Sequence, residues 1–253
     1  MLSLDPIAGA RAMVRRIGRA AKVQASELAL MASVVATVPL QLAGGLEPAV
    51  DAPLHAYPAP TVRPVLLVHG LGGTKSSWSY LARTLTARGL TVEAISYPPF
   101  GTSVEEIADR LAVEVDRLLI QTGADKVHLV GHSLGGVVIA QAIASGRLTG
   151  RVDTVITLGA PFGGSPWANV LPIGAIIAAL REGSPLLRRL ASTQVPDGIR
   201  WLAFTATRDM IVPGLRSVPA HAAVEAVTVS GVGHLGMLLS RQVVSRIAAA
   251  LPA

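Results

Sequence analysis

The feature that most constrains the fold is a serine flanked by glycines, between a strand-like and a helix-like segment. Residues 127–130 form an apolar run with the β-branched content of a buried strand. Residues 131–135 read G-H-S-L-G, and an apolar run at 137–144 is typical of a buried helix. In this setting the pattern holds a serine oxygen at the carboxyl end of a strand, beside the N–H groups of a helix end. It therefore indicates that Ser133 is a nucleophile, the alternative being an ordinary helix cap.

Strand-like and helix-like segments alternate through the body of the chain, which predicts an α/β fold with a mostly parallel sheet and helices on both faces. Ser103 with Glu106 three residues later is a capping-box pattern, and Gly123 is the expected end of that helix. A short helical, lid-like insertion broken by prolines is expected at 169–198. Six strands are expected, at 64–68, 91–97, 127–130, 152–158, 200–207 and 224–230, and helices at 76–88, 103–121, 137–144 and 240–251.

Two parts of different character are expected, an N-terminal appendage (residues 1–60) and a body (residues 61–253). Residues 1–26 carry five basic residues and one acidic residue, and therefore most of the net charge of +6. Residues 28–46 are uncharged, and a proline-rich linker follows them. The sequence predicts peripheral membrane contact through residues 1–46, with a helix packed on its own domain as the alternative. Localisation is expected to be membrane-associated or secreted, with a cytoplasmic protein as the alternative.

Composition excludes several classes of chemistry. The chain has no cysteine, which rules out a thiol nucleophile, a disulfide framework and cysteine-ligated metal. Aromatic residues make up 4% and are not interleaved with basic residues, so we expect no nucleic-acid partner. Metal-binding H-E-x-x-H, a Walker A loop and an in-register G-x-G-x-x-G are missing from the sequence. Chemistry without cofactor or metal is the expectation.

A serine hydroxyl needs a base within hydrogen-bond reach, and the base needs a carboxylate that orients it. The order Ser133, Asp209, His234 is the one expected after such an elbow. Asp209 directly follows a strand, although a plain turn residue is the alternative. The other aspartates considered lie before a strand, at the start of one or in the insertion; these are Asp125, Asp153 and Asp197.

His234 is the one histidine that follows the last strand in a glycine-rich loop. His132 lies in the elbow and is expected to point away, and His69 is expected to position a loop. The remaining histidines are assigned to the linker (His55), the core as a satisfied residue (His128) and the segment before the last strand (His221).

An oxyanion hole needs two backbone N–H groups aimed at the tetrahedral oxygen. The residue after the nucleophile, Leu134, is expected to supply one. Residues 69–73 read H-G-L-G-G after the first strand of the body, and Leu71 is the expected source of the other.

Several of these segments together resemble an α/β-hydrolase, and more closely the small bacterial lipase/esterase group with H-G-x-G-G and G-H-S-x-G-G signatures. They are residues 65–73, 131–136 and 209–213, together with Gly233-His234. The segment 158–168 is similar to the L-x-x-P-x-x-G-[ST] segment after the sixth strand of triacylglycerol lipases. The resemblance covers roughly residues 62–253 and leaves out residues 1–60.

The resemblance implies the α/β-hydrolase fold, with the insertion after the sixth strand of the family and the first family strands missing. It implies Ser133 as nucleophile, Asp209 as acid and His234 as base, with Leu71 and Leu134 as oxyanion donors. His69, Gly70, Gly131 and Gly135 are expected to support these loops.

The leading hypothesis is a serine carboxylic ester hydrolase (lipase or esterase) acting on lipid or small acyl-ester substrates through an acyl-enzyme. The apolar substrate was suggested by leucines and isoleucines of the insertion, which could instead pack on the sheet. The alternatives are a phospholipase, thioesterase or acyltransferase on the same triad, or a catalytically idle, membrane-associated hydrolase fold that serves as a binding protein.

Overall fold

A six-stranded sheet forms the centre of the computed structural model, which describes residues 24–25, 62–98, 101–170 and 174–252. The strand order is β2-β1-β3-β4-β5-β6, and every neighbouring pair is parallel. The expected parallel sheet of an α/β fold is confirmed. The strands are β1 (Val65–Val68), β2 (Val92–Ala94), β3 (Val127–His132), β4 (Val152–Leu158), β5 (Arg200–Ala206) and β6 (Val224–Val229).

α-Helices occupy each connection between consecutive strands except the one from β5 to β6, which contains a 3₁₀ turn. Two 3₁₀ turns, Lys75–Trp78 and Gly214–Ser217, accompany them. The helices are α1 (Ser79–Thr86), α2 (Val104–Thr122), α3 (Leu134–Ala144), α4 (Pro166–Val170), α5 (Ala175–Ala179), α6 (Pro185–Ser192), α7 (Gly236–Leu239) and α8 (Arg241–Ala250).

The sheet separates two apolar clusters, one on each face. Alternate residues of β1 enter different clusters, since Leu66 and Val68 pack with α2 and α3 while Val65 and Leu67 pack with α1 and α8. This alternation is the period-2 geometry of a strand buried on both sides. Burial on both faces explains why the inner strands β1 and β3 read as largely apolar runs in the sequence, whereas the edge strand β6 is mostly exposed.

Helix α2 begins and ends where its sequence signals predict. The Ser103 hydroxyl accepts from the Glu106 N–H at 3.2 Å, and the Glu106 carboxylate accepts from the Ser103 N–H at 2.7 Å. Gly123 adopts φ 68° at the C-terminal end, a left-handed conformation that favours glycine. Both predicted boundaries of this helix are therefore confirmed.

Three boundaries differ from the sequence expectation. Side-chain hydroxyls form hydrogen bonds within the turn at 74–77. The first part of the helix expected at 76–88 is therefore a 3₁₀ turn and not an α-helix. Strand β2, at one edge of the sheet, comprises three residues and is shorter than the expected strand at 91–97. Helix α3 begins at Leu134, three residues earlier than the apolar run indicates, since Gly135 and Gly136 are helical despite their low propensity.

The expected helical insertion after β4 consists of three short helices, α4 to α6, and it begins at Pro166, three residues before the expected boundary. Its apolar residues pack inward: Ile176, Ile177, Leu180, Leu186 and Leu187 are all buried in the cluster that contains α3. The interpretation that these side chains contact lipid is therefore wrong, and packing on the domain is what occurs. Gly174 precedes α5 with φ 93°, and Gly183 with φ 67° and Pro185 at the start of α6 separate α5 from α6.

The predicted membrane contact of residues 1–46 and the linker lie outside the described residues, apart from Gln24 and Ala25. In the part of the chain that is described, no helix combines the length and the apolar character that crossing a bilayer requires.

Candidate active site

Ser133 lies in a strained turn between β3 and α3. Its backbone has φ 52° and ψ −120°, and it is the one non-glycine residue with positive φ among those described. Such a conformation costs on the order of 1–3 kcal/mol and persists only where the surrounding structure imposes it. The hydroxyl makes no capping hydrogen bond to α3. The alternative that Ser133 is an ordinary helix cap is thus not realised.

Glycines allow the backbone to pass close to itself around this turn. A Cβ on Gly135 would lie 2.7 Å from the carbonyl oxygen of His69, and still closer to that of Val68. A Cβ on Gly131 would lie 2.7 Å from the backbone of Gly136. Helix α3 therefore begins directly against the end of β1, which positions its N–H groups at the carboxyl edge of the sheet.

Asp209 and His234 form a buried pair at the same edge. The Nδ1 of His234 lies 2.8 Å from Oδ2 of Asp209, and their side chains are 5% and 0% exposed. The other carboxylate oxygen of Asp209 accepts from the N–H groups of Ile211 at 2.9 Å and Val212 at 2.7 Å. Because every carboxylate oxygen has a donor, the aspartate is fixed in one orientation toward the imidazole.

Backbone contacts bring this pair and Ser133 to a common point. The N–H of Ser133 donates to the carbonyl of Leu158 at 2.9 Å, at the end of β4. A Cβ on the next residue, Gly159, would lie 3.0 Å from both Asp209 Oδ2 and His234 Nδ1. Gly159 also has φ 57°. Both the lack of space for a side chain and the positive φ therefore require glycine at this position. The structure thus places the three predicted side chains around the carboxyl ends of β3 and β4.

The loop after β1 reaches the same point. A Cβ on Gly70 would lie 3.0 Å from the Cβ of Ser133, so this glycine packs directly under the serine. His69 stacks on Tyr97 with ring centroids 4.1 Å apart, and the Tyr97 hydroxyl donates to the His69 carbonyl. These contacts hold the loop of Leu71 beside the elbow. Leu134, the first residue of α3, has one of the N–H groups that a helix leaves without an internal partner.

The structure corrects the expectation that His132 points away from the site. Its Nε2 donates to the carbonyl oxygen of His234 at 3.1 Å, and the two rings are 4.7 Å apart. Strand periodicity could have revealed this contact. His132 lies on the same face as Val130, which is the face covered by the helices that follow His234.

Burial keeps two of these histidines neutral and makes the fold sensitive to acid. Desolvation lowers the pKa of His132 to about 3 and that of His69 to about 4. An unfolded chain takes up these protons near pH 6.5. The contribution of these neutral histidines to the free energy of unfolding is therefore fully present above about pH 6.5. As the pH falls from there toward 4, each histidine lowers the free energy of unfolding by on the order of 1 kcal/mol per pH unit. Urea denaturation at pH 7 and pH 5 measures this loss.

The matched variant for this prediction is His132→Gln, which retains an N–H donor without a titrating ring. We expect it to flatten the dependence of the unfolding free energy on pH. Equal denaturation midpoints at pH 7 and pH 5 in the unmodified chain would contradict the prediction.

The aspartates and histidines that were not assigned to the triad lie in other parts of the fold, as far as the structure describes them. Asp125 and Asp153 both pair with Arg63, with nitrogen–oxygen distances of 3.2 and 2.9 Å. His128 is fully buried in the core, as expected, and its Nδ1 lies 3.5 Å from Oδ2 of Asp153, although neither ring nitrogen makes a hydrogen bond among the described residues. Burial also lowers its pKa. His55 falls outside the described residues, and no metal-holding group of His, Asp and Glu occurs within them.

No pattern in the sequence predicts the contacts that join the acid loop to the loop after β4. The indole N–H of Trp167 donates to the Met210 carbonyl at 3.0 Å, and the Ser165 hydroxyl donates to the Ile211 carbonyl at 2.6 Å. The N–H of Arg208 donates to the Val232 carbonyl at 3.1 Å. The acid loop is thus tied on one side to the insertion and on the other to the loop of His234.

Known proteins are similar to this chain in sequence over part of its length. A family model described as alpha/beta hydrolase fold matches residues 63–220. A triacylglycerol lipase from Burkholderia plantarii is 32% identical over 55% of this chain and 41% of its own length. One from Vibrio cholerae serotype O1 is 35% identical over 47% of this chain and 40% of its own length.

A solved structure shows the extent of the similarity in fold. The mature form of a Bacillus licheniformis lipase superposes with a TM-score of 0.68 at 17% identity, over 80% of this chain and 96% of that one. By contrast, the match spans less than half the length of the two triacylglycerol lipases.

Proposed function

Because this chain belongs to the alpha/beta hydrolase fold family, we propose that it is a serine carboxylic ester hydrolase of the lipase/esterase kind. One observation carries the proposal: the buried 2.8 Å contact between Asp209 and His234 lies at the edge where Ser133 is held in a strained, uncapped turn. The partial similarity to triacylglycerol lipases supports apolar acyl esters as the substrate class.

The proposed reaction proceeds through an acyl-enzyme. The Ser133 oxygen attacks the ester carbonyl carbon while its proton passes to Nε2 of His234. Asp209 accepts the Nδ1–H bond, which fixes the tautomer and stabilises the imidazolium. The alcohol leaves with the proton from Nε2. A water then gives a proton to Nε2 and attacks the acyl carbonyl, and the acid departs as Ser133 is regenerated.

The negative oxygen of each tetrahedral intermediate needs two donors in place beforehand. We assign them to the backbone N–H groups of Leu71 and Leu134. Support comes from Gly70, which packs under Ser133, and from the start of α3 at Leu134. The partial positive charge at a helix N-terminus adds to the stabilisation. Loss of one such donor typically costs about 10²–10³ in rate.

The direct test is reaction with a fluorophosphonate, followed by a panel of short and long p-nitrophenyl esters. We expect covalent labelling at Ser133 and hydrolysis of the esters, with no labelling of a Ser133→Ala chain. An unlabelled native chain would instead favour the catalytically idle binding protein. The panel should extend to phospholipids, thioesters and alcohol acceptors, since a phospholipase, thioesterase or acyltransferase would use the same triad.

Asp209→Asn tests the role of the acid. The amide cannot hold the imidazole in the required tautomer, so kcat for a soluble ester should fall by about 10⁴. Asp125→Asn is the matched control, because its carboxylate pairs with Arg63 at the opposite edge and it should retain full activity. Steady-state kinetics on a p-nitrophenyl ester compares the two. A loss below about tenfold in Asp209→Asn would mean that another group orients His234.

Peripheral membrane contact through residues 1–46 stays a prediction, as does localisation at a membrane or outside the cell. The vesicle experiment described below separates contact through that segment from contact through the body of the domain.

A further inference from the structure

Exposed apolar side chains concentrate at the edge of the sheet that carries the triad. Six large apolar side chains are exposed among the described residues, and four of them follow the carboxyl ends of β4, β5 and β6. The remaining two lie on helix α2. The four are Trp167, Met210, Leu215 and Leu239, and the two are Val113 and Ile120.

Three of the four lie on two loops that are bonded to each other. Trp167, Met210 and Leu215 are 38%, 44% and 73% exposed. The Trp167 indole donates to the Met210 carbonyl at 3.0 Å. Gly163 and Arg216, the neighbour of Leu215, exchange backbone and side-chain bonds at 2.8 and 3.2 Å. We call these three side chains the rim patch, and it begins one residue from Asp209.

Positive charge borders the rim patch. The Arg181 guanidinium donates to the carbonyl of Ala168, the residue after Trp167, at 3.0 Å. Arg188 lies further along the insertion, where it donates to the carbonyl of Gly183. The Glu182 carboxylate next to Arg181 pairs with Arg216 at 2.8 Å. In the described part of the chain, neither Arg181 nor Arg188 has a carboxylate partner. The segment 160–217 as a whole holds six arginines against three acidic residues.

We propose that the rim patch docks the domain on the surface of an anionic phospholipid bilayer. Apolar side chains enter the interfacial region, where an indole is favoured because it has an apolar body and a polar edge. The arginines at the border meet the lipid phosphates, and each basic group near an anionic surface strengthens binding by about fivefold. The docking site rests on these residues, whereas its purpose, delivery of a lipid ester to Ser133, rests on the proposed function.

Tryptophan fluorescence can report this contact at a single residue. The chain has three tryptophans, and Trp78 and Trp201 are buried at 1% and 4% exposure. Vesicles whose acyl chains carry bromine quench an indole that enters the bilayer. We expect the full chain to be quenched by brominated vesicles that contain phosphatidylglycerol, and much less by phosphatidylcholine alone. Trp167→Phe should abolish the quenching.

Binding is measured separately by co-sedimentation with vesicles. Leu215→Ser and Met210→Ser should each weaken partitioning by about tenfold, because a large apolar side chain no longer enters the interface. Ile120→Ser is the matched control, since Ile120 is 82% exposed at the C-terminal end of α2, far from the triad edge. Leu215→Ser should hydrolyse a soluble ester at the native rate.

Four results would overturn the proposal. The first is binding to vesicles without quenching of Trp167, which would assign the contact to another part of the chain such as residues 1–46. The second is no binding to vesicles at all, and the third is equal binding to neutral and anionic vesicles. The fourth is that Ile120→Ser weakens binding as much as Leu215→Ser and Met210→Ser do. The proposed function fails separately, if soluble esters are not hydrolysed while docking persists.

Discussion

Replacing Ser133 by alanine is expected to lower kcat for a soluble ester by about 10⁵–10⁶, the range found when a serine nucleophile is removed. The residual rate would come from the oxyanion donors and from binding alone. The side chain makes no capping bond, so the fold should stay intact. Kinetics with highly purified protein and a thermal unfolding curve are the two measurements required. Activity within about tenfold of native would remove Ser133 from the mechanism.

A second substitution at the same position separates chemistry from strain. Ser133→Gly should also be inactive, but glycine accepts φ 52° without penalty. We expect its unfolding free energy to exceed that of Ser133→Ala by about 1 kcal/mol. This difference measures the strain that positions the hydroxyl.

Gly135→Ala is expected to lower the unfolding free energy by about 3 kcal/mol, at the upper end of the usual cost of overpacking. Helix propensity alone predicts the opposite sign, a gain of about 1 kcal/mol in a helix interior. Sterics should dominate, because the new Cβ would lie 2.7 Å from the His69 carbonyl oxygen and closer to that of Val68. Both are backbone atoms of a strand end and cannot rotate away. The midpoint of urea denaturation gives the sign directly.

Ala144→Gly, at the other end of the same helix, is the control for this experiment. It should cost about 1 kcal/mol from propensity. If Gly135→Ala proves as stable as the native protein, the close approach of α3 to β1 does not exist, and the proposed position of the oxyanion donors loses its support.

The sheet and the elbow could be predicted from the sequence because their signals are local. Continuous apolar runs mark strands buried on both faces, and the glycines around Ser133 mark a turn with little space. Asp209 and His234 could be chosen because each follows a strand of a parallel sheet, whose carboxyl ends share one edge. Position relative to a strand was enough to select them.

Contacts between distant segments left no such signal. The apolar residues of the insertion, such as Ile176 and Leu187, indicate that one face of its helices is buried, but they do not indicate which part of the molecule buries it. In the structure, the core of the domain does so. The bond from Trp167 to Met210 joins residues 43 positions apart, and no periodicity encodes that pairing. Local glycine content likewise could not indicate that α3 would begin at Leu134, because its first turn is set by the neighbouring end of β1.

The position of β6 in the sheet has a consequence for biosynthesis. Strand β6 lies at an outer edge of the sheet, pairs with β5 alone among the described strands, and precedes the loop of His234. A chain growing on the ribosome therefore contains Ser133 long before it contains His234. Under the proposed mechanism, the emerging polypeptide would gain the capacity to attack esters only once β6 has paired with β5.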